Sequence, residues 1–244
     1  MIAANIQTAL RLVYPSRCVT CGDLVEGDFG LCGTCWRDTP FASGLVCDCC
    51  GIPLQGEAMD DEIVHCDECM TSDRPWQQGR TALLYSKNAR RLILALKHGD
   101  RQDIARPAAQ WMAHVAKPLL SSRILVAPVP LHWTRLVKRR YNQAAVLAET
   151  IARQLGLSYC PDLLQRPRES GNMEGLSKTE RFAKVKNAIA PHPKRKHRMA
   201  GRPVLLVDDV MTSGATLAAC ADACLQSRAS FVNVLTLARV AKDT

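Results

Sequence analysis

The second half of the chain contains short, continuous apolar runs that predict buried strands. RILVAPVP at 123–130 and VLLV at 204–207 show no alternation of apolar and polar positions. Such runs are typical of parallel strands that are covered on both faces. TALLYS at 81–86 predicts a further strand.

Helical patterns separate these predicted strands. They cover NARRLILALKHG at 88–99, residues 104–120, NQAAVLAETIARQLG at 142–156, TERFAKVKNAI at 179–189 and TLAACADACLQS at 216–227. Alternating strand and helix signals predict an α/β domain with a parallel sheet flanked by helices. An amphipathic stripe over residues 1–18 predicts one more helix, which we expect to dock on the protein rather than on a membrane.

Cysteine spacing predicts two metal sites in the first third of the chain. Nine of the 12 cysteines lie between Cys18 and Cys69, and eight of them form four CxxC pairs. Two such knuckles close one tetrahedral zinc site, so four knuckles make two structural sites. In the preferred, serial arrangement the ligands are Cys18, Cys21, Cys32 and Cys35 in one site and Cys47, Cys50, Cys66 and Cys69 in the other. A crossed arrangement also satisfies the spacing.

Other uses of these cysteines are less consistent with the sequence. A disulfide framework is typical of secreted chains, whereas the start MIAANIQTALRLVYPSRC has no basic stretch followed by a cleavable apolar one. We therefore expect a cytoplasmic protein, with zinc preferred over an iron–sulfur cluster. Because the sequence has no run of 18 apolar residues, we expect no membrane insertion.

Charge divides the chain into an acidic and a basic part. Residues 1–78 carry 4 basic and 12 acidic side chains, a net charge of −8, whereas residues 79–244 carry 28 and 11, a net charge of +17. This break predicts a small cysteine-rich zinc ribbon module over 1–78 and a basic domain over 79–244. A basic domain is consistent with a polyphosphate ligand. Its positive electrostatic potential also favours contact with the phosphates of nucleic acid.

The sequence VLLVDDVMTSGAT, which starts at Val204, predicts a ligand site at the end of a buried strand. Asp208 and Asp209 follow the apolar run, and in open α/β sheets ligands bind at the carboxyl ends of the strands. The next residues combine hydroxyl groups with small side chains, which lets the backbone close around a phosphate at a helix N-terminus. The expected binding residues are Val210, Met211, Thr212, Ser213, Gly214, Ala215 and Thr216. We refer to residues 212–216 as the phosphate loop.

The two aspartates cannot bind the phosphate themselves, because they carry the same charge. They suit sugar hydroxyls or Mg²⁺, so the expected ligand is a phosphorylated sugar with free hydroxyls. A plain strand-to-helix turn capped by aspartate is the alternative. A Walker B strand is excluded, because the chain has no GxxxxGK[ST] loop.

Taken together, these segments resemble the ComF family of phosphoribosyltransferase-like proteins. The resemblance rests on 126–156, on 166–190, on the strand and loop at 204–216 and on the N-terminal cysteines, and so covers nearly the whole chain. It implies a type I phosphoribosyltransferase fold, with catalytic Asp208 and Asp209 and with phosphoribosyl diphosphate (PRPP) and Mg²⁺ at the loop. The family usually has Arg-Gly-Phe-Asn-Gln where this chain has Arg-Tyr-Asn-Gln at 140–143, without the glycine.

The resemblance also places a pyrophosphate-binding segment after the strand at 123–130. There it implies that Arg135, Arg139 and Arg140 bind the substrate. Cations at a helix N-terminus are unfavourable unless an anion is nearby, which favours substrate binding. The alternative is that these cations belong to an ordinary basic helix exposed to solvent. The polar segment 166–178 either closes over the site or is an ordinary surface loop.

Two functions remain open at this stage. One is Mg²⁺-dependent transfer of a phosphoribosyl group from PRPP to an acceptor that the sequence does not specify. The other, also linked by the resemblance to DNA uptake or utilisation, is a non-catalytic factor that binds single-stranded DNA and works with competence or DNA-processing proteins. The basic run at 191–203 is a second candidate contact for a DNA strand.

Overall fold

The computed structural model describes residues 15–25, 30–57, 63–98, 100–168, 177–185 and 188–241. The helix predicted over 1–18 lies outside these ranges except for its last four residues. Most of the segment 166–178 also lies outside them. Within the described residues, none of the helices combines the length and apolar character needed to cross a membrane.

A five-stranded parallel sheet forms the centre of the molecule. Its order is β1-β7-β6-β2-β3, so β6 lies between β7 and β2. The strands are β1 (Gln78–Leu84), β2 (Leu125–Pro128), β3 (Ser158–Tyr159), β6 (Val204–Met211) and β7 (Val232–Arg239). β4 (Leu164–Gln165) and β5 (Ala190–Pro191) form a separate antiparallel pair.

Two short helices precede β1: α1 (Gly33–Arg37) and α2 (Asp67–Met70). The helices between the strands are α3 (Lys87–His98), α4 (Ala105–Val115), α5 (Trp133–Arg139), α6 (Gln143–Leu155), α7 (Lys178–Val185) and α8 (Ala215–Gln226). Short 3-10 turns occupy Gln102–Ile104, Lys117–Leu119 and Lys196–Met199. The predicted α/β class, a parallel sheet flanked by helices and preceded by a cysteine-rich module, is confirmed.

Each face of the sheet belongs to its own hydrophobic cluster. Leu205 and Val207 of β6 pack with α3, α4 and α6, whereas Val204 and Leu206 pack with α8 on the other face. Because successive side chains of a strand point to opposite faces, burial on both sides requires apolar residues at every position. This explains the unbroken apolar run that identified the strand.

The cysteine-rich module covers one edge of the sheet. The backbone amide of Ala42 donates to the carbonyl of Ala82 over 2.9 Å, and that of Leu84 donates to the carbonyl of Pro40 over 2.8 Å. These bonds satisfy groups on β1 that an uncovered edge strand would leave open to other chains. The module is therefore an integral layer of the fold.

Two glycines allow the module to approach β1 closely. A Cβ atom on Gly79 would lie 2.3 Å from the carbonyl oxygen of Cys49, and a Cβ on Gly51 would lie 2.4 Å from the amide nitrogen of Thr81. Both neighbours are backbone atoms, which cannot move aside without shifting a strand or a knuckle. β1 begins at Gln78, next to the predicted boundary between 1–78 and 79–244. The division into these two domains remains a prediction.

Gly79→Ala is expected to destabilise the protein, because its methyl group would overlap the carbonyl of Cys49. Overpacking of this kind costs about 1 to 3 kcal/mol, so the Tm in a thermal unfolding experiment should fall by several degrees. Gly33→Ala is the matched control, because a Cβ on Gly33 meets no atom within 4 Å. Equal Tm values for the two variants would contradict the close approach.

Candidate functional site

The two predicted catalytic aspartates lie inside β6 rather than after its end. The strand continues through Met211, so two further residues separate Asp209 from the phosphate loop. Asp208 is half-buried, and Asp209 is buried with 8% of its surface exposed. Their adjacent positions on a strand direct the side chains to opposite sides, so the two carboxylates have different surroundings.

Asp209 pairs with a lysine that the sequence analysis did not select. Lys97 Nζ lies 3.1 Å from Asp209 Oδ1. The end of α3 that carries this lysine is fixed by the Tyr141 hydroxyl and the Gln143 amide, both of which donate to the carbonyl of Leu96. Residues 140–143, where the chain departs from the usual family pattern, therefore help to position Lys97 against Asp209. Asp208 and Asp209 are called the acidic pair below.

The surroundings of Asp208 perturb its protonation. Burial and the nearby charge of Asp209 raise the pKa of Asp208 to about 7, although the positive charges of Lys97 and Arg166 oppose the shift. An unperturbed aspartate has a pKa of about 3.9. Near neutral pH, Asp208 therefore exchanges between the protonated and ionised forms. Cation binding favours the ionised form, because a carboxylate must be deprotonated to act as a ligand.

The phosphate loop turns the chain from β6 into α8. Gly214 is the N-cap of α8 with a φ of 79°, in the left-handed region that glycine adopts without strain. A small cavity of about 30 Å³ is lined by the loop, by Asp208 and by Leu217. The amide groups at a helix N-terminus and the loop hydroxyls can donate to an anion there. The structure thus brings the predicted loop residues and Asp208 together around one cavity.

The expected pyrophosphate cations lie on α5, and their contacts tie two of them to other groups. Arg139 donates to the side-chain oxygen of Gln143 over 3.2 Å, and Arg140 lies 2.9 Å from Asp100. Arg135 is half-buried on the same helix. Their assignment as substrate-binding residues remains a prediction. His132 caps α5 by accepting from the amide of Thr134, which is a structural role.

The eight paired cysteines form two clusters in the serial arrangement. The first cysteine cluster contains Cys18, Cys21, Cys32 and Cys35, and the second cysteine cluster contains Cys47, Cys50, Cys66 and Cys69; in each, the ligand atoms lie within 4.8 Å of one another. The sulfur atoms of Cys21 and Cys32 are 3.6 Å apart, and those of Cys50 and Cys66 are 3.7 Å apart. Four sulfurs at about 2.3 Å around a tetrahedral zinc ion would be about 3.8 Å apart. The two clusters therefore fit zinc.

Three further residues missed by the sequence analysis hold the phosphate loop from the cysteine-rich side. Arg74 Nη1 donates to the carbonyl of Ser213 over 2.6 Å. Arg239, at the end of β7, donates to the carbonyls of Met211 and Thr212. Glu68, which lies between Cys66 and Cys69 of the second cysteine cluster, forms ion pairs with both arginines, at 3.3 Å and 2.6 Å.

Fold and cysteine clusters together define the class: an α/β protein with a five-stranded parallel sheet and an N-terminal double zinc ribbon. Residues 9–70 match the family model described as "Double zinc ribbon domain". A solved structure of glutamine PRPP amidotransferase from B. subtilis, complexed with ADP and GMP, is similar with a TM-score of 0.39 and 15% identity. The similarity covers 58% of this chain and 30% of that chain. The fold is therefore defined by the sheet order and packing described above rather than by this similarity.

Curated relatives extend over most of the chain. "DNA utilization protein YhgH" from Shigella flexneri is 29% identical over 236 residues, which cover 93% of this chain and 99% of the relative. "Competence protein F" from Haemophilus influenzae is 30% identical over 207 residues, which cover 82% and 87%. The chain therefore belongs to the ComF family, the family of competence protein F.

Asp208→Asn is expected to stabilise the protein by an amount that grows with pH. Because the folded pKa of about 7 lies above the unfolded value, wild-type stability falls as pH rises towards 7 and then levels off. Asparagine does not titrate, so the Tm difference between variant and wild type should widen from pH 5.5 to 7 and reach a few degrees. Asp103→Asn is the comparison, because Arg101 lowers the pKa of Asp103 and places its titration below this window. A constant Tm difference for Asp208→Asn would contradict the raised pKa.

Proposed function

We propose that this protein binds PRPP or a related phosphorylated ribose at the end of β6, together with Mg²⁺. The observation that carries the proposal is the position of Asp208, which lines the same small cavity as the phosphate loop. A ligand that fills the cavity with a phosphate group would place its sugar hydroxyls towards the acidic pair. Membership of the ComF family supports the same ligand, because the sequence motif of the loop is the one that carries the family resemblance.

In this proposal, residues of different charge bind different parts of the ligand. Amide and hydroxyl groups of residues 212–216 bind the phosphate, and α8 adds the positive end of its dipole. Asp208 and Asp209 bind the ribose hydroxyls or the metal ion. When bound, Mg²⁺ supplies positive charge to the pyrophosphate group. Lys97 keeps Asp209 paired in the ligand-free protein, so the acidic pair does not carry two uncompensated buried charges.

Transfer of the phosphoribosyl group is the reaction that this ligand permits. The bond between the ribose C1 atom and the pyrophosphate oxygen would break, and a bond from C1 to the acceptor would form. Arg135, Arg139 and Arg140 would stabilise the departing pyrophosphate if the ligand draws α5 towards it, since cations stabilise developing negative charge. The chain carries no pattern that specifies the acceptor, so we propose the ligand and the reaction class only.

Changes in the two halves of the site should affect binding differently. The double change Asp208→Asn with Asp209→Asn should weaken PRPP with Mg²⁺ about ten- to a hundredfold per lost charged contact and leave inorganic phosphate nearly unaffected. Gly214→Val should abolish binding of both, because a side chain at Gly214 would meet Arg74 Nη1 at 2.4 Å. Asp222→Asn, an exposed change on α8, is the control.

Isothermal titration calorimetry measures these affinities. Failure of the wild-type protein to bind PRPP or ribose 5-phosphate at millimolar ligand with Mg²⁺ would refute the proposed function. Unchanged PRPP affinity in the double variant would also refute it, and the aspartates would then be strand residues without a role in the ligand.

A second candidate function, binding of single-stranded DNA, is favoured by the surface of α5. Trp133 is 66% exposed and Val137 is 72% exposed, on the helix that carries the predicted cations. Trp133 lines a groove of about 380 Å³ together with Asp162, and Asp162 pairs with Arg195 of the basic run at 191–203 at 3.0 Å. The groove is therefore lined by residues of α5 that include an exposed indole, and the basic run at 191–203 contacts one of its lining residues. Names of relatives that refer to competence and DNA utilisation support this candidate.

Trp133→Ala should weaken single-stranded DNA binding about five- to a hundredfold, because a base stacked on an aromatic ring contributes about 1 to 3 kcal/mol. The affinity should also fall with salt, with a logarithmic slope of about 0.7 for each phosphate contacted. Trp36→Ala removes an exposed tryptophan from the acidic module and is the matched control. Fluorescence anisotropy with a labelled oligonucleotide measures both effects. Equal losses of DNA affinity in the two variants, or an affinity that does not change with salt, would exclude this surface as the DNA-binding site.

A further inference from the structure

We propose that Glu68 positions the phosphate loop through Arg74 and Arg239, so that the second cysteine cluster controls anion binding at the end of β6. The identity of the anion rests on the proposed function. The positioning itself is a property of the ligand-free protein and can be tested separately.

The two arginines are buried beneath the loop. Their side chains are 1% and 2% exposed, and they come from segments far apart in the sequence. Arg74 follows the second cysteine cluster, whereas Arg239 ends β7, where the parallel register places it beside Met211. Together their guanidinium groups donate to three consecutive carbonyls, those of Met211, Thr212 and Ser213.

These bonds determine the direction of the loop amides. In a trans peptide the carbonyl of one residue and the N–H of the next point in opposite directions. Because three consecutive carbonyls point to the arginines, the amide groups of Thr212, Ser213 and Gly214 point away from them. Consecutive amides that point to one side form an anion-binding concavity. The arginines therefore orient the donors that a phosphate would meet.

Packing around Gly214 brings the loop against the same guanidinium group. A Cβ on Gly214 would lie 2.4 Å from Arg74 Nη1 and 3.3 Å from Trp76 Cη2. The guanidinium group of Arg74 lies 5.3 Å from the centre of the Trp76 ring. Trp76 is itself buried and donates to the carbonyl of Cys49. The loop thus rests on a layer supplied by the segment between the second cysteine cluster and β1.

Glu68 holds both arginines with one carboxylate. Its Oε1 atom lies 3.3 Å from Arg74 Nη2, and its Oε2 atom lies 2.6 Å from Arg239 Nη2. Two buried guanidinium groups repel each other, and removing the partner of a buried charge is strongly destabilising. Without Glu68, the two arginines would separate or turn towards solvent and would release the loop carbonyls.

The second cysteine cluster fixes the position of Glu68. Glu68 lies between Cys66 and Cys69, whereas the other knuckle of the cluster is docked on β1. In that knuckle the carbonyl of Asp48 accepts from the amide of Gly79 over 2.8 Å, and its carboxylate lies 2.6 Å from Arg80 Nη2. Four thiolate ligands on one zinc ion would join the two knuckles. The metal would therefore hold Glu68 at a fixed place relative to the sheet.

Glu68→Gln tests the role of the carboxylate, and Asp67→Asn is the matched control. Both changes remove one negative charge from the same knuckle, but Asp67 is exposed. Glu68→Gln should keep two zinc ions per chain and weaken ribose 5-phosphate about ten- to a hundredfold. It should also speed hydrogen exchange of the amides of residues 212–216 in the ligand-free protein. Asp67→Asn should leave zinc content, affinity and exchange at their wild-type values.

Cysteine variants test the role of the cluster if Glu68→Gln does not fold. Cys66→Ser and Cys32→Ser each remove one ligand, from the second and the first cysteine cluster, and each should lower the zinc content to about one per chain. Only Cys66→Ser should speed exchange of the loop amides. Equal acceleration in the two variants would overturn the proposal, and so would wild-type exchange in Cys66→Ser or in folded Glu68→Gln.

The two readouts separate this proposal from the proposed function. Wild-type protein that binds neither ribose 5-phosphate nor PRPP would refute the proposed function, while the exchange comparison would still decide whether Glu68 positions the loop. Wild-type binding that is unchanged by Glu68→Gln would refute the positioning role alone.

Discussion

Two adjacent carboxylates in the central strand are the constraint on which the rest of the site depends. Burying a carboxylate is costly, and two neighbouring negative charges add to the cost. Lys97 compensates Asp209, whereas Asp208 is half-buried and has a raised pKa of about 7. A strand that served packing alone would carry apolar residues here. In the proposed function, these charges serve ligand binding at the cost of some stability.

The cysteine-rich module is part of that site rather than an appendage to it. The ribbon and the sheet share backbone hydrogen bonds along β1. The ribbon supplies Glu68, and the segment between it and β1 supplies Arg74 and Trp76 beneath the phosphate loop. Zinc therefore has two effects in this account. It gives stability to a segment that has few large apolar side chains of its own, and it places a carboxylate where two buried arginines need a partner.

The sequence was sufficient for features that depend on local pattern. Continuous apolar runs predicted β1, β2 and β6, and CxxC spacing predicted two cysteine clusters, which the structure places in the serial arrangement. The small and hydroxylated residues after Asp209 predicted a phosphate-binding turn at the start of α8. The structure places these residues around a small cavity there, and the binding of a phosphate remains a prediction. In each case the signal lies in residues that are close together along the chain.

Other features could not be predicted because they depend on long-range register. Lys97 ends a helix more than a hundred residues before Asp209, and nothing in its own segment shows that the two would meet. Arg239 gives a weak signal, because it is a single cation at the end of the apolar strand VNVLTLAR, but its partners follow only from the pairing of β6 with β7. Glu68 lies between two cysteines whose spacing indicates metal binding, and nothing in that segment indicates a contact with distant arginines.

The most direct test of the account is a crystal structure of the zinc-loaded protein with ribose 5-phosphate and Mg²⁺. We expect the phosphate group within hydrogen-bonding distance of the amides of Ser213 and Gly214, with the ribose hydroxyls towards Asp208. We also expect Glu68 to contact both Arg74 and Arg239 in that state. A ligand bound elsewhere, such as in the groove beside Trp133, with the phosphate loop left empty, would contradict the account.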